Sequence, residues 1–127
     1  MFTLICGLPN AGKTTYSKRF ENVFHLDDFP RNKFLNCNKA VAESTGDIVV
    51  EGIYNLRIRR KKLLESVKDD KKVCIWIDTP KEECIRREDR GRQPHIVTQL
   101  PMQPPTYEEG WDEIVVIRTE LPDSGSH

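Results

Sequence analysis

The fold of this 127-residue chain is decided by the stretch Gly7-Leu8-Pro9-Asn10-Ala11-Gly12-Lys13-Thr14. It matches the pattern GxxxxGK(S/T) at every fixed position and directly follows an apolar run from Phe2 to Cys6. In such a P-loop, glycines let consecutive backbone N–H groups curl around phosphate oxygens, the lysine reaches the outer phosphates, and the hydroxyl binds Mg²⁺. We therefore expect a nucleotide to be bound by Gly7, Pro9, Asn10, Ala11, Gly12, Lys13, Thr14 and Thr15, with Thr14 as the metal ligand.

The composition limits the classes of function. Twenty basic and twenty acidic side chains cancel, so a general attraction to nucleic acid is not built into the total charge. No apolar stretch approaches the roughly 18 residues that cross a bilayer, so we expect a cytoplasmic protein with no membrane partner. The length suits one domain, which we expect over residues 1–118, followed by a flexible polar tail over residues 119–127.

Apolar runs alternate with segments of helical periodicity along the chain. This alternation predicts an α/β fold of three layers, in which a parallel five-stranded sheet carries helices on both faces. The expected strands are Phe2–Cys6, Val23–Leu26, Ile48–Val50, Val73–Ile77 and Ile114–Ile117. The expected helices cover Thr14–Phe20, Asn32–Ser44, a stripe from Leu56 to Val67, and a segment that begins with Thr79 as N-cap and Glu82 closing a capping box.

One glycine and three acidic residues follow the predicted strands at the point where each strand ends. They are Gly7, Asp27, Glu51 and Asp78. Because the carboxyl ends of parallel strands meet at one edge of the sheet, ligands bind there, and we expect these residues to converge on one site.

Each part of a phosphoryl-transfer site has a candidate in this set. Asp27 is placed to accept the proton of an acceptor hydroxyl, and Arg31 could orient an acceptor phosphate by a bidentate contact. Glu51 could hold a metal-bound water or the acceptor. The structural alternatives are a turn or helix cap for Asp27 and Asp28, and an ordinary packing role for Glu51.

Two clusters of basic residues have more than one interpretation. Arg86, Arg87 and Arg90 precede a proline-rich segment over residues 91–105 that begins with Gly91, so we favour a short lid that brings arginines to the phosphates over a solvated charge run. The stretch from Arg57 to Lys62 reads as the solvated face of an amphipathic helix, with a nucleic-acid contact as the alternative.

The order of these motifs resembles that of polynucleotide 5′-hydroxyl kinases of the minimal phage or bacterial type. The resemblance includes Pro105-Thr106 and Glu109-Gly110-Trp111 before the last strand, and it covers most of the chain. It implies a P-loop kinase fold that uses ATP and Mg²⁺. The chain departs from the family at Glu51-Gly52, where the family has Asp-x-Thr-Asn, and a Glu-Gly pair at that place is familiar from small-molecule kinases.

The resemblance also implies roles for individual residues. Lys13 and Thr14 would bind phosphate and metal, Asp27 would be the base for the 5′-hydroxyl, and Arg31 would contact the 3′-phosphate of the acceptor. Arg87 and Arg90 would cover the ATP phosphates, with Arg90 taking part in catalysis. In the family the basic residue follows the aspartate by three positions, whereas Arg31 follows Asp27 by four.

Three functions remain open at this stage. The first is an ATP-dependent kinase that phosphorylates the 5′-hydroxyl of a nucleic acid or nucleotide. The second is a kinase of a free metabolite such as a nucleoside or sugar, and the third is an ATP-binding module without an acceptor. By our segment boundaries, the helical part between the second and third strands is restricted to about fifteen residues, so we expect an open acceptor site that suits a nucleic-acid end, unless a second copy of the chain closes it.

Overall fold

The sheet has five strands, all parallel. A computed structural model gives the structure of residues 1–68, 71–88 and 100–118. The strand order across the sheet is β2-β3-β1-β4-β5, so the P-loop strand lies at the centre. The strands are β1 (Phe2–Cys6), β2 (Val23–His25), β3 (Ile48–Gly52), β4 (Lys72–Asp78) and β5 (Glu113–Arg118). All five expected strands are therefore confirmed, as is the parallel sheet.

Helices cover both faces of the sheet and complete the three layers. They are α1 (Lys13–Ser17), α2 (Lys33–Glu43), α3 (Arg57–Glu65) and α4 (Lys81–Arg86), with 3₁₀ turns at Leu26–Asp28 and Tyr107–Glu109. On one face, α2 and α3 bury Cys37, Val41, Leu63 and Leu64 against β1, β3 and β4. On the other face, α4 buries Cys84, and the partly buried Tyr16 of α1 packs into the same cluster. The helix expected over Thr14–Phe20 is shorter than predicted.

The central strands owe their position to continuous apolar runs. Every residue of β1 and β3 is buried, and such runs are typical of strands covered on both faces. By contrast, β2 has three residues, pairs with β3 alone and forms one edge of the sheet. The register places His25 of β2 beside Glu51 of β3.

The capping box predicted at Thr79 is wrong. Pro80 is the N-cap residue of α4, and no side chain caps that end. The Thr79 hydroxyl instead donates to the carbonyl oxygen of Ala11 at 2.7 Å, which ties the start of α4 to the P-loop. A capping box does form at Thr106 and Glu109, around the second 3₁₀ turn. A distant carbonyl has therefore replaced the local backbone partner of the Thr79 hydroxyl.

Several expectations concern residues outside the described ranges. Arg90, most of the lid expected over residues 91–105, and the tail expected over residues 119–127 all lie there, so these stay predictions. Across residues 1–68, 71–88 and 100–118, no helix combines the length and apolar character needed to cross a bilayer.

Candidate active site

The backbone of the P-loop requires its glycines. Gly12 has a φ of 109°, in the left-handed region that favours glycine. A Cβ added to Gly7 would lie 2.7 Å from the carbonyl oxygen of Ile77, closer than real Cβ atoms come. Asn10 has a φ of 66°, and its side-chain amide donates to the Cys84 carbonyl at 3.1 Å. The loop is thus held against the end of β4 and against α4.

Lys13 is a buried cation with little direct compensation from the protein. Its side chain points back along the loop, and Nζ donates to the Leu8 carbonyl oxygen at 2.7 Å. An ammonium group has three donors, and this is its one hydrogen bond to the part of the chain described above. Burial lowers the pKa of Lys13, while the nearby negative charge of Glu51 acts in the opposite direction. The site therefore places a poorly solvated positive charge inside the P-loop.

Glu51 joins the P-loop to the edge strand. Its Oε1 accepts from the Thr14 hydroxyl at 3.3 Å and lies 2.7 Å from Nδ1 of His25. The Glu51 side chain is 9% exposed, whereas that of His25 is 35% exposed. The strand register explains this contact, because it sets His25 directly beside Glu51.

Thr14 and Glu51 offer oxygen ligands of the kind that Mg²⁺ prefers. Protein-bound Mg²⁺ usually takes one or two carboxylates, keeps several waters and completes its shell with substrate phosphates. One hydroxyl and one carboxylate beside a P-loop fit that requirement. Within the described ranges no group of three or more His, Cys, Asp or Glu side chains forms a metal cage by itself, so the pair fits an ion that arrives with a nucleotide.

Asp27 lines the cleft that contains the P-loop. It follows β2 in the 3₁₀ turn Leu26–Asp28, and its side chain is 70% exposed. Nζ of Lys33, in the first turn of α2, lies 3.2 Å from Asp27 Oδ1. Arg31 is exposed and does not line the cleft. Sequence reasoning therefore missed Lys33; the available signal was a basic residue in the first helical turn after the strand-end aspartate.

Arg87 packs against the P-loop from α4. Its Nη1 donates to the carbonyl oxygens of Asn10 and Ala11, both at 3.3 Å, and its Nε donates to Glu83 at 3.0 Å. Hydrogen bonds from Arg86 lower the pKa of Glu83 to about 2, against the effect of burial, and Arg87 also donates to that carboxylate. The two arginines thus share one anchoring carboxylate at the base of the expected lid.

One cleft of about 770 Å³ collects most of the expected site. The predicted residues that line it are Pro9, Asn10, Ala11, Gly12, Lys13, Thr14, Thr15, Asp27, Glu51 and Arg87. Lys33 and Arg19, which the sequence did not single out, line it as well. Asp78 does not; it ends β4 and lies 3.7 Å from Nε of Arg118 on β5. Three of the four expected strand ends therefore contribute to the cleft or its loop, and Asp78 forms a neighbouring ion pair.

Arg60 shows that the interpretation of α3 as one solvated basic face was wrong at that position. Its side chain is fully buried, with Nε 2.7 Å from Glu109 Oε1 and Nη2 3.0 Å from Glu109 Oε2. Further bonds reach the carbonyl oxygens of Tyr54 and Gln103, each at 2.8 Å. Trp111 Nε1 also donates to Glu109. The segment around Glu109-Gly110-Trp111 thus supplies the counter-charge of a buried arginine.

Solved structures share this architecture. A kinase candidate from Chloroflexus aurantiacus J-10-fl superposes with a TM-score of 0.72 and 13% identity, over 98% of this chain and 91% of that one. A gluconokinase from Sinorhizobium meliloti 1021 superposes with a TM-score of 0.63 and 14% identity, over 94% of this chain and 83% of that one. A sugar kinase from Janibacter sp. HTCC2649 superposes with a TM-score of 0.69 and 14% identity, over 95% of this chain and 86% of that one. No protein-family model and no curated protein sequence matches the chain. The expected P-loop kinase fold is confirmed, and at these identities the likeness concerns the fold.

Proposed function

We propose that this protein is an ATP-dependent kinase that transfers the γ-phosphate to the 5′-hydroxyl of a nucleic acid or nucleotide. The observation that carries the proposal is one cleft that Lys13, Thr14, Glu51 and Asp27 line together, with the Thr14 hydroxyl bonded to Glu51. The fold shared with kinases supports a phosphoryl-transfer enzyme.

The donor half of the site is built from the P-loop. Backbone N–H groups and the Lys13 ammonium bind the β- and γ-phosphates. The negative charge of these phosphates compensates the buried ammonium group. Arg87 lies over the loop, where its guanidinium adds positive charge beside the phosphates. Thr14 and Glu51 would hold Mg²⁺, which neutralises developing charge on the phosphate oxygens when bound.

The acceptor half is built from Asp27. Its carboxylate accepts the proton of the acceptor hydroxyl as the oxygen forms its bond to the γ-phosphorus, and the bond to the β–γ bridging oxygen breaks to release ADP. Lys33, at 3.2 Å from Asp27, holds the carboxylate on the cleft side of the 3₁₀ turn and adds positive charge where an acceptor phosphate would lie. This arrangement gives Lys33 the role that the sequence suggested for Arg31.

The exposure of Asp27 favours a nucleic-acid end as the acceptor. A small metabolite is usually enclosed by its enzyme, whereas the Asp27 side chain is 70% exposed beside an open cleft. The Glu51-Gly52 pair and the likeness to a gluconokinase and a sugar kinase favour the second candidate, a small-metabolite kinase.

Labelled phosphate transfer separates these candidates. We expect [γ-³²P]ATP with Mg²⁺ to label 5′-hydroxyl oligonucleotides and nucleoside 3′-monophosphates, and not gluconate, hexoses or free nucleosides. Label in a metabolite alone would establish the second candidate instead. Phosphate release without any labelled acceptor would indicate an ATPase or binding module.

The Asp27→Asn variant tests the acceptor half. We expect kcat to fall about 10²- to 10⁴-fold, the usual contribution of a general base, while calorimetry shows unchanged ATP binding. Asp28→Asn is the matched control, because Asp28 is the adjacent aspartate, is also exposed and does not line the cleft. Equal kcat values for the Asp27→Asn and wild-type proteins would contradict the assigned base.

A further inference from the structure

A second groove lies beside the acceptor end of the cleft, between α2 and α3. Its volume is about 430 Å³. The residues that give it its chemistry are Lys33, Phe34, Leu35, Asn38, Arg59 and Lys62. Lys33 lines both this groove and the main cleft, and its Nζ lies 3.2 Å from Asp27 Oδ1, so the groove adjoins the cleft near Asp27. A ligand that passes Asp27 along α2 would enter it directly.

The walls of the groove combine positive charge with flat and apolar surfaces. The Arg59 guanidinium lies 3.8 Å from the ring centroid of Phe34, which in turn packs edge-on against Tyr54 at 5.1 Å. This packing holds a planar cation, still partly accessible, in a fixed orientation. Leu35 is 59% exposed at the same rim. The groove therefore offers a stacking platform as well as charge.

Two of the three cations that line the groove, Arg59 and Lys62, have no acidic partner within the described residues. No residue that lines it is acidic, and in residues 1–68, 71–88 and 100–118 no carboxylate forms an ion pair with Arg59 or Lys62. Lys33 is paired with Asp27, at the junction with the main cleft. A chain with no net charge thus concentrates unopposed positive charge in one place next to the proposed acceptor.

We propose that this groove binds a single-stranded nucleic acid beyond its 5′-terminal nucleotide. Lys62 binds a backbone phosphate, and Arg59, held by Phe34, stacks against a base; single strands are recognised by this combination of cations and stacking surfaces. The direction of the strand, with its 5′ end at Asp27, rests on the proposed function. The groove then favours acceptors of several nucleotides over mononucleotides.

Equilibrium binding tests the groove without requiring catalysis. The probes are eight-nucleotide DNA and RNA strands with a 5′-hydroxyl and a 3′-fluorescein, titrated with the full chain and followed by fluorescence anisotropy. Lys62→Ala is compared with Lys61→Ala, since the two exposed lysines are adjacent on α3 and only Lys62 lines the groove. Arg59→Lys and Arg59→Ala separate charge from the planar stacking surface.

We expect Lys62→Ala to weaken strand binding several-fold and to reduce the slope of log Kobs against log salt by about 0.7, the value for one phosphate contact on a single strand. Arg59→Ala should weaken binding about ten-fold, and Arg59→Lys should restore little of it. Lys61→Ala should match the wild type. Equal effects of Lys61→Ala and Lys62→Ala, or displacement of the strand by poly-glutamate at equal charge concentration, would overturn the proposal.

The two proposals fail in different ways. If strand binding depends on Lys62 and Arg59 but no 5′-hydroxyl is labelled, the proposed kinase function is contradicted and the proposed binding role of the groove is supported. Transfer to oligonucleotides with a KM no lower than that for a nucleoside 3′-monophosphate would support the function and overturn the groove. If both hold, the KM advantage of the longer acceptor should fall about ten-fold in Arg59→Ala.

Discussion

Two buried cations in this protein have opposite surroundings. Arg60 is fully buried, and its guanidinium donates to both oxygens of Glu109 and to backbone carbonyls. Lys13 is nearly as buried, yet the residues described here give its ammonium a single hydrogen bond, to a carbonyl oxygen. The first charge is compensated within the protein and holds α3 to the last loop. The second is compensated only in part, which suits the phosphate-binding role that we propose for Lys13.

The two carboxylates that accompany these cations differ in the same way. Burial acts to raise the pKa of Glu109, but hydrogen bonds from Arg60 and Trp111 outweigh it, and the pKa is lowered. Glu51 makes no hydrogen bond to Lys13; it contacts Thr14 and His25 instead. A carboxylate that is shared with a hydroxyl and an imidazole can change partners when a ligand enters, whereas the partners of Glu109 are fixed by the fold.

The largest effect that we expect is on stability, from Arg60→Met. Removal of one partner leaves the Glu109 carboxylate buried without its counter-charge, which costs about 3–5 kcal/mol in the free energy of unfolding. Urea denaturation measures the loss. The double variant Arg60→Met/Glu109→Gln should recover part of it, because no charge then stays buried; a double variant that is no more stable than Arg60→Met would contradict a paired role.

A steric change next to Glu51 should have a smaller effect, of about 1–3 kcal/mol. In Gly52→Ala the new Cβ would lie 2.5 Å from Leu26 Cβ, so the turn that carries Asp27 must shift. We expect lower stability together with lower kcat for phosphoryl transfer. Gly46→Ala is the control, since its φ of 83° strains an alanine while nothing lies within 4 Å of the added Cβ. Equal losses of kcat in the two variants would contradict the expectation that Gly52→Ala acts by displacing Asp27.

Replacement of Lys13 should change the free energy of unfolding in the opposite direction from replacement of Arg60. Methionine has a similar length and carries no charge, so Lys13→Met should stabilise the nucleotide-free protein by about 1 kcal/mol while it abolishes binding of ATP with Mg²⁺. Urea denaturation and calorimetry measure the two effects. Lys18→Met, at an exposed lysine just after α1, should change neither. A destabilised Lys13→Met protein would show that the cation is compensated after all.

The smallest effect that we expect lies in the pH dependence of stability. Because the pKa of Glu109 is lower in the folded state than its ordinary 4.5, its contribution is fully present above that pH and is lost as the pH falls through the folded pKa. The difference in unfolding free energy between the wild type and Glu109→Gln should therefore shrink below about pH 4.5. Parallel curves across that range would contradict the lowered pKa.

Lys13 should give the reverse dependence at high pH. Its folded-state pKa is below the ordinary 10.5, so the unfolded chain holds the proton more tightly. The wild type should gain stability relative to Lys13→Met as the pH rises from the folded pKa towards 10.5. A difference between the two proteins that stays constant with pH would argue against this shift.

Local sequence patterns were sufficient to predict the strands and the P-loop. The runs Phe2–Cys6 and Ile48–Val50 are apolar because both faces of these strands are covered. A continuous apolar run is therefore enough to predict that these strands are buried. The strand ends then brought Asp27 and Glu51 to one cleft, as expected for a parallel sheet.

Two of the failures, at Thr79 and Arg60, share one physical cause, which is a partner far away in the sequence. The Thr79 hydroxyl bonds to Ala11, 68 residues away, and Arg60 bonds to Glu109, 49 residues away. Helical periodicity reports only which face a residue occupies, so it made Arg60 look solvated. Lys33 was missed for a different reason: the start of α2 was predicted to within one residue, but sequence spacing does not show that the Lys33 side chain reaches Asp27.

The sheet order has a consequence for how this protein can change over evolutionary time. The P-loop follows β1 at the centre, while Asp27 follows β2, a three-residue edge strand that pairs with one neighbour. Under the proposed function, mutations in the edge strand and its turn could therefore alter which alcohol is accepted without disturbing the interior strands that carry the triphosphate. Substrate preference can diversify among descendants of such a chain while use of the same phosphate donor is inherited intact.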